Sequence, residues 1–299
     1  MSRIGGPIIC WHYDHTKGSS VKGINIVTFT YNVILDDLTM KTPVAWELVK
    51  KDKLVRITEK KDKKFVEREV RRSSVSKIEQ VKERLKILTF HNHLKWKYAT
   101  FDTWYSSADL ITYIVQDLKK HVVCAIKDNR TVCFDTKKSK KEQIWTKVSQ
   151  LDIESNKAYS IYMKEVPFEL LLVKKVYQNL DGSVGVQYLI STDTTQNADQ
   201  IGATYNKRWS REDLHRSLKQ NTALEKMPAK MESSQANHIF ASMLAQVKLE
   251  CLKRATKLNH YTLKQQILIE ALKTAWNQIT KLKMEAIELN VNLPNFSPA

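Results

Sequence analysis

The amino-acid sequence predicts an α/β protein in which helices flank a mixed sheet, with an inserted β-rich subdomain and a helical carboxyl-terminal part. Three patterns support this. A strand, a helix and a second strand follow one another closely at 97–127, short alternating strands fill 128–196, and helical periodicity governs 197–285. We therefore expect four segments, which are 1–127, 128–196, 197–285 and a loose tail at 286–299.

The first 90 residues combine short apolar runs with a strongly charged stretch. Apolar and β-branched residues at 7–12 and 23–34, separated by the polar segment HTKGSSVKG, predict two antiparallel strands joined by a turn. The stretch KKDKLVRITEKKDKKF at 50–65 is so rich in charge that we expect a solvated loop. Apolar residues then recur at helical spacing in SKIEQVKERLKIL, which predicts a helix.

The stretch 97–127 predicts the central unit of the sheet. KYATFD is typical of a strand that ends at Asp102, and Ser106 with Asp109 resembles a capping box at the start of an amphipathic helix. HVVCAIK predicts a buried strand after that helix. Because a strand, a helix and a strand in this order form a crossover, we expect the two strands to be parallel.

Beyond residue 128 the pattern changes twice. AYSIYMK, ELLLVKKVYQ and VGVQYLIS alternate as strands do, and Asn179, Asp181 and Gly182 predict a hairpin turn between the last two. Helices are then predicted at about 198–220, 232–258 and 262–282. Five apolar side chains mark the expected core face of the second of these helices: Ile239, Phe240, Met243, Leu244 and Val247.

Composition narrows the classes of function. Forty-nine Lys and Arg residues against 32 Asp and Glu give a net charge of +17, which favours a polyanionic partner such as nucleic acid over the alternative of a generally basic soluble protein. The four cysteines are far apart, so neither a disulfide framework nor a zinc site is predicted. The sequence has no Gly-rich phosphate loop and no apolar run that could span a bilayer, so we expect no ATP, no membrane partner and a cytoplasmic location.

A charged stripe runs along the first of the predicted carboxyl-terminal helices. Tyr205, Glu212 and Lys219 recur every seventh position, and at about 100° per residue they share one face of a continuous helix with Arg208. Such a stripe is unsuited to a core. Periodicity alone therefore favours a solvated surface with pairs such as Arg208 and Glu212.

The spacing of this stripe, written YNKRWSREDLHRSLK, resembles the YREK signature of DDE transposases of bacterial insertion sequences. Further segments match in order along nearly the whole chain, namely IICWHYDH, VKGIN, FDTWYSSADL, AIKDNR, SLKQN and SQANHIFAS. The resemblance implies an RNase H-like fold and a bacterial protein associated with the nucleoid. It also implies metal-dependent cleavage and strand transfer at insertion-sequence ends, with double-stranded element ends and target DNA as partners and a homodimer in the DNA complex.

The same resemblance assigns roles to individual residues. Asp102 would be the second of three catalytic acids and Glu212 the third, and together they would bind Mg²⁺ or Mn²⁺ in a two-metal site. Arg208 and Lys219 would clamp DNA phosphates, and Tyr205 would hydrogen-bond a phosphate near the cleaved end. These residue types suit the reaction, because hard cations need oxygen ligands and stabilise the charge that develops on the leaving oxygen.

Two tryptophans, Trp104 and Trp209, are close in sequence to these residues. Either could stack on an unpaired base at a DNA tip, because aromatic rings are the usual platform for unstacked bases. Packing against the domain core is the alternative for both.

The sequence departs from the family at the position of the first acid. Relatives carry that acid in an Asp-Asp-Thr segment well before a WHYDH-like segment, whereas WHYDH here begins at Trp11. Either Asp14 takes its place or the chain lacks an amino-terminal region that holds it. We expect the latter, because Asp14, like Asp36 and Asp37, suits a turn. Two functions stay open: an active transposase, and a catalytically incomplete remnant that binds DNA without cleaving it.

Overall fold

The computed structural model describes residues 8–14, 18–35, 38–61, 64–134, 144–178, 181–227 and 231–288. The chain divides into two compact units, which are Met1–Phe29 with Val44–Glu212, and Thr30–Pro43 with Asp213–Ala299. The four segments expected from the sequence are a different division of the chain, and they stay a prediction.

Three two-stranded sheets make up the described part of the amino-terminal region. β1 (Cys10–Asp14) pairs with β2 (Ser19–Gly23), β3 (Ile26–Leu35) with β4 (Leu38–Leu48), and β5 (Lys53–Lys61) with β6 (Lys64–Arg72). The predicted pairing of 7–12 with 23–34 is wrong. Val21, inside the supposed turn, pairs with His12, so the polar segment itself supplies the partner strand.

The predicted loop at 50–65 is also wrong, because β5 and β6 form an antiparallel hairpin there. In β5 the half-buried Val55 and Ile57 alternate with exposed neighbours. This period of two is typical of a strand with one face against the protein. Composition alone does not reveal this alternation, because most of the other positions are charged.

Seven strands form the main sheet of the first unit, in the order β10-β9-β11-β12-β13-β8-β7. They are β7 (Tyr98–Phe101), β8 (His121–Ile126), β9 (Thr131–Cys133), β10 (Thr146–Lys147), β11 (Ala158–Met163), β12 (Leu170–Gln178) and β13 (Val184–Ser191). β7 and β8 are parallel, as predicted, and the other neighbours are antiparallel. The predicted mixed sheet is therefore confirmed, and the described strands of 128–196 continue it. The narrower RNase H-like assignment stays a prediction.

The hairpin turn predicted between β12 and β13 is described in part. Asn179 lies outside the described residues. Asp181 accepts the Ser183 amide at 3.0 Å, and Gly182 has a φ of 80°, a backbone conformation that glycine adopts without strain.

Helices cover both faces of the sheet. On one face are α1 (Lys77–Lys86), which continues as a π-helical turn over Ile87–His91, and α2 (Ala108–Gln116); on the other is α3 (Ala198–Asn206). Alternate residues of β8 serve the two faces, with Val122 and Cys124 facing the first and Val123 the second. Each fully buried aliphatic side chain contributes about 1.5–3 kcal/mol, so these two apolar layers hold the sheet together.

The start of α2 differs by one residue from the prediction. Ser107, not Ser106, is the N-cap, and its Oγ accepts the amide of Leu110 at 3.3 Å. Ser106 is buried, and its hydroxyl donates to the carbonyl of Thr103 at 2.8 Å. The predicted capping box with Asp109 is therefore wrong, although the helix predicted to start there is confirmed as α2.

The second unit contains most of α4 (Ser210–Asn221) and all of α5 (Glu232–Thr256) and α6 (His260–Glu288). α6 continues into the predicted tail, of which 289–299 lies outside the described residues. The predicted core face of α5 is correct for Ile239 and Met243 but wrong for Phe240 and Leu244, which are exposed. Polar residues occupy much of the buried face instead: Gln235, Ser242, Gln246 and Glu250.

A hydrogen-bonded network links α4, α5 and the start of α6. The Ser217 hydroxyl lies 2.8 Å from Gln246 Oε1 and 3.0 Å from His260 Nδ1. His260 Nε2 lies 3.3 Å from Glu250 Oε1 without the geometry of a hydrogen bond, so Glu250 adds a charge contact to the network, and both Ser217 and Glu250 are buried. Because a buried polar group is costly without a partner, the network fixes how these helices pack.

Apolar side chains of α6 remain exposed along most of its length. Leu263 in the first turn is buried, whereas other large apolar residues of the helix are open to solvent: Tyr261, Leu268, Leu272, Trp276, Ile279 and Leu282. None of the helices in the ranges given above has a stretch both long and apolar enough to cross a bilayer.

Candidate active site

Asp102 directly follows β7, at the end of the strand that pairs in parallel with β8. The turn after it fixes the carboxylate, because the amide of Trp104 donates to Asp102 Oδ1 at 3.0 Å. The amide of Tyr105 donates to the Asp102 carbonyl at 3.2 Å. Burial raises the pKa of the neighbouring Tyr105, and the negative charge of Asp102 raises it further.

The helix predicted over 198–220 is interrupted. α3 ends at Asn206, a 3₁₀ turn spans Lys207–Trp209, and α4 begins at Ser210. A 3₁₀ turn advances by 120° per residue instead of about 100°, so the stripe expected on a continuous helix does not keep one direction. Tyr205 is 3% exposed and packs with the second core cluster of the sheet. The premise that the whole stripe faces solvent is therefore wrong for Tyr205.

Asp102 and Glu212 meet at a guanidinium that the sequence reading missed. Arg211 Nη2 lies 3.6 Å from Asp102 Oδ2 and 3.3 Å from Glu212 Oε1. Because both oxygens contact the same atom, they lie within about 7 Å of each other, a separation that a metal pair spaced by about 4 Å could bridge. The expectation that the two carboxylates are neighbours is confirmed. Their catalytic role stays a prediction.

Arg208 is held by two aromatic rings. Its guanidinium carbon lies 5.5 Å from the ring centre of Tyr205 and 5.3 Å from that of Trp209, and its side chain is 15% exposed. Nη1 lies 3.9 Å from Glu212 Oε1, while Nε is buried without a hydrogen-bond partner. Burial raises the pKa of Tyr205 despite the nearby positive charge, and its hydroxyl accepts a bond of 3.4 Å from Gln187.

The remaining predicted DNA contacts are on the surface. Lys219 belongs to the second unit, and its Nζ lies 2.7 Å from Glu225 Oε1. Trp104 and Trp209 are each more than half exposed, with Trp104 packed edge-on against Tyr105 at 4.7 Å between ring centres. Exposure of this extent argues against the alternative that either tryptophan is a core residue.

A buried carboxylate elsewhere in the first unit contrasts with this pair. Burial by itself would raise the pKa of Asp193, but donors from Thr195, Tyr98 and Lys97 hold that pKa far below its ordinary value. Tyr98 donates to Oδ2 at 2.6 Å and the Thr195 hydroxyl to Oδ1 at 2.6 Å. Both oxygens of Asp193 are already engaged, so this carboxylate is structural.

The first of the three acids implied by the resemblance is not in place among the described residues. In those ranges no group of three or more His, Cys, Asp or Glu side chains could hold a metal ion. Asp14 ends β1 and pairs with Ser19, so it belongs to a strand and not to the turn we expected. Asp36 and Asp37 lie outside the described residues. Asp102 and Glu212 alone still suit a hard cation, because Mg²⁺ takes oxygen ligands and keeps several waters.

Comparison with known proteins gives a family and likenesses among solved structures. No curated protein matches the chain. Among solved structures, the chain is similar to that of the piggyBac transposase synaptic complex with hairpin DNA, with 12% sequence identity and a TM-score of 0.46. The likeness covers 99% of this chain and 56% of the piggyBac chain, so this chain spans little more than half the length of that transposase.

The family of the Transposase DDE domain matches residues 53–247. These residues include β5 to α4 complete, with Asp102, Arg211 and Glu212. The match extends over more than half of the sequence, and the chain therefore belongs to the Transposase DDE domain family.

Proposed function

We propose that this chain is the DNA transposase of an insertion sequence, which cleaves and transfers DNA strands at the element ends with the help of divalent metal ions. The observation that carries the proposal is that Asp102 and Glu212, far apart in sequence, contact the same guanidinium nitrogen. Family membership and the net charge of +17 support DNA as the substrate.

Asp102 and Glu212 would supply the protein ligands for Mg²⁺ or Mn²⁺. When bound, such ions would stabilise negative charge on the phosphate and leaving oxygens and lower the pKa of a bound water. The Trp104 amide orients Asp102 through Oδ1, and Oδ2 is the atom directed toward Arg211. A two-metal site requires a further acid, which Asp14 or a residue outside the described ranges would contribute.

Arg208 would bind a DNA phosphate beside the carboxylates, because its planar fork matches phosphate oxygens. Tyr205 would act on the DNA through Arg208, since its buried ring supports the guanidinium. Lys219 would add a second phosphate contact as a point charge. The exposed rings of Trp104 and Trp209 would be available to stack on an unpaired base.

A second function, DNA binding without cleavage, is favoured by one observation. Among the described residues two carboxylates meet where the reaction needs three. A cleavage assay separates the two functions. The full chain is incubated with Mn²⁺ and a supercoiled plasmid that carries the DNA flanking this gene on both sides.

An active transposase nicks that plasmid, and Asp102→Asn or Glu212→Gln lowers the rate by roughly a factor of one hundred or more. Asp109→Asn and Glu154→Gln are matched controls, because these exposed carboxylates pair with Lys82 and Lys157 and should not affect the rate. Loss of nicking in Asp14→Asn would identify Asp14 as the first of the three acids. Folded protein that binds the plasmid and never nicks it would establish the second function.

DNA binding should depend steeply on salt, because each phosphate contact releases counterions. Arg208→Gln and Lys219→Gln should each reduce the slope of log affinity against log salt by about 1. Lys157→Gln, which removes a lysine paired with Glu154 on the surface, is the control. If neither substitution changes the slope, neither Arg208 nor Lys219 contacts a DNA phosphate.

We also propose that the chain forms a homodimer through the exposed apolar side of α6. Leu268, Leu272 and Trp276 recur every fourth position and are each more than half exposed, so they form an apolar stripe on one side of the helix. α6 carries four lysines and three glutamates, so it is nearly neutral in a strongly basic chain. A near-neutral apolar helix suits a second copy better than a nucleic acid or an anionic membrane.

A further inference from the structure

Arg211 occupies the position between the two carboxylates. Its Nη2 atom contacts Asp102 Oδ2 at 3.6 Å and Glu212 Oε1 at 3.3 Å, and its side chain is 32% exposed. A guanidinium cannot lose its proton in a protein, so it carries a permanent positive charge at this point. Arg211 therefore neutralises two acids that would otherwise repel each other.

A divalent ion and this guanidinium exclude each other. An ion bound by both carboxylates would occupy the space beside Asp102 Oδ2 and Glu212 Oε1, and Nη2 already lies within 3.6 Å of both oxygens. Mg²⁺ binds oxygens at about 2.0–2.1 Å, which leaves no room for a second cation against the same lone pairs. The two cations also repel each other. Metal binding by both carboxylates therefore requires Arg211 to move.

Arg211 differs from Arg208 in its freedom to move. The Arg208 guanidinium is held between the rings of Tyr205 and Trp209 and is largely buried. Arg211 lies on the first turn of α4 and is partly open to solvent. A partner in solution can therefore attract its side chain away from the acids. The best-matched partner in DNA is a phosphate, which accepts two parallel bonds from a guanidinium.

We propose that Arg211 blocks metal binding by Asp102 and Glu212 in the free protein, because it pairs with both carboxylates. When DNA binds, a phosphate pairs with the guanidinium instead, and both carboxylates become available to the metal ion. This inference rests on the proposed function, because it assumes that Asp102 and Glu212 bind the metal. DNA and metal then favour each other's binding, and by linkage the two effects are equal in size. Metal binding by the two carboxylates is thereby favoured in protein that already holds DNA.

The first test measures Mn²⁺ binding to the full chain without DNA, with the free ion followed by electron paramagnetic resonance. Arg211→Gln should bind Mn²⁺ about tenfold more tightly than the unchanged chain, since two ion pairs no longer compete. Arg211→Lys keeps the positive charge but lacks the planar guanidinium, so its affinity for Mn²⁺ should lie between those of Arg211→Gln and the unchanged chain. Arg56→Gln, which removes a guanidinium paired with Glu69 on the β5–β6 hairpin, should leave the affinity unchanged.

The second test measures coupling. Anisotropy of a labelled duplex without element ends gives DNA affinity with and without Mn²⁺, and Asp102→Asn gives the background effect of the ion. The unchanged chain should bind DNA about tenfold more tightly with Mn²⁺. Arg211→Gln should lose most of that gain. Melting temperatures without metal show whether each variant is folded. If Arg211→Gln does not fold, the effect of Mn²⁺ on DNA affinity is measured with Arg211→Lys instead.

Two failures can be told apart. If Asp102→Asn abolishes Mn²⁺ binding but Arg211→Gln and Arg211→Lys bind the ion like the unchanged chain, the metal site stands and the role of Arg211 is wrong. If no variant binds Mn²⁺ in a way that depends on Asp102, with or without DNA, the proposed function fails and this inference fails with it.

Discussion

The sheet of the first unit and the helices of the second have opposite kinds of interior. Val123, Leu172 and Ile190 in the sheet have no exposed surface and pack among other apolar side chains. In the second unit the buried face of α5 carries Gln246 and Glu250, whereas α6 exposes most of its large apolar residues.

This difference separates two ways of fixing a structure. An apolar interior gains stability from the removal of hydrocarbon surface from water, and it tolerates changes of shape better than changes of polarity. A buried polar network gains little net energy but fixes the geometry, because each unpaired group is costly. We therefore expect substitutions in the sheet to act through packing and substitutions in the helices to act through hydrogen bonds.

The largest expected effect is on the sheet. Leu172→Ala on β12 removes a side chain without exposed surface and should lower the free energy of unfolding by about 3 kcal/mol, from lost transfer energy and a cavity. Urea unfolding and hydrogen exchange of β12 peptides measure this loss. Val186→Ala, on the exposed part of β13, is the control and should cost less than about 1 kcal/mol. Equal losses in the two variants would contradict an apolar interior at Leu172.

The next effect is on the polar network. Glu250→Ala leaves His260 and Lys253 without their carboxylate partner and should cost about 2 kcal/mol. The exchange of amides in α5 and the first turn of α6 should rise most. Glu270→Ala on α6 removes an exposed carboxylate paired with Lys273 and should cost less than about 0.5 kcal/mol. If both variants behave alike, the buried network contributes nothing to stability.

The same contrast explains what could be predicted from the sequence. β8, β12 and β13 were recognised because runs of apolar residues are the direct sign of a buried strand. The buried face of α5 was misjudged, because Phe240 and Leu244 satisfy the periodicity of a core face yet lie exposed, and no local pattern signals a buried Gln246. The choice between these faces depends on residues far away in the chain.

A smaller effect should appear with pH. Burial holds the pKa of His260 below its ordinary value of 6.5, with Lys253 and Lys41 acting in the same direction and Glu250 opposing them. The unfolded chain then binds the proton more readily than the folded one, so stability that is present above pH 6.5 is lost as the pH falls below it. His260→Gln should reduce the difference in hydrogen exchange of α5 between pH 7.5 and pH 5.5.

His12 provides the matching case in the first unit. Burial lowers its pKa to about 4, and the positive charges of Lys51 and Lys77 contribute. His12→Gln should therefore reduce the loss of stability of the β1–β2 hairpin between pH 6.5 and pH 4, without an effect on α5. A pH response of α5 that His12→Gln changes as much as His260→Gln would show that the two histidines do not act locally.

The smallest effect on stability is expected on α6. Leu272→Gln changes an exposed residue, so the free energy of unfolding should stay within about 0.5 kcal/mol of the original. If α6 is the dimer contact, the same substitution should weaken self-association in sedimentation equilibrium. Asn277→Ala, five positions along and about 140° round the helix, is the control. Self-association that Leu272→Gln leaves intact would place the dimer contact elsewhere.

The sequence was enough to identify the two acids of the candidate site, but not the arrangement of the side chains around them. The resemblance pointed to Asp102 and Glu212, and the structure brings their carboxylates to the same nitrogen. Arg211 was missed because it lies outside the signature spacing, although its position beside Glu212 was visible in the sequence. The burial of Tyr205 was missed because the 3₁₀ turn at Lys207–Trp209 has no clear sequence signal and changes the phase of the stripe.

That Asp102 and Glu212 hold the same divalent ion is tested most directly by iron-mediated cleavage of the protein backbone. Fe²⁺ takes the place of Mg²⁺ on the DNA-bound chain, and hydroxyl radicals formed at the bound ion from added hydrogen peroxide and ascorbate cut the chain nearby. We expect two cuts, one next to Asp102 and one next to Glu212, both prevented by excess Mg²⁺ and both absent in Asp102→Asn and in Glu212→Gln. A single cut, or two cuts of which each single variant removes just one, would show that the two carboxylates do not share an ion.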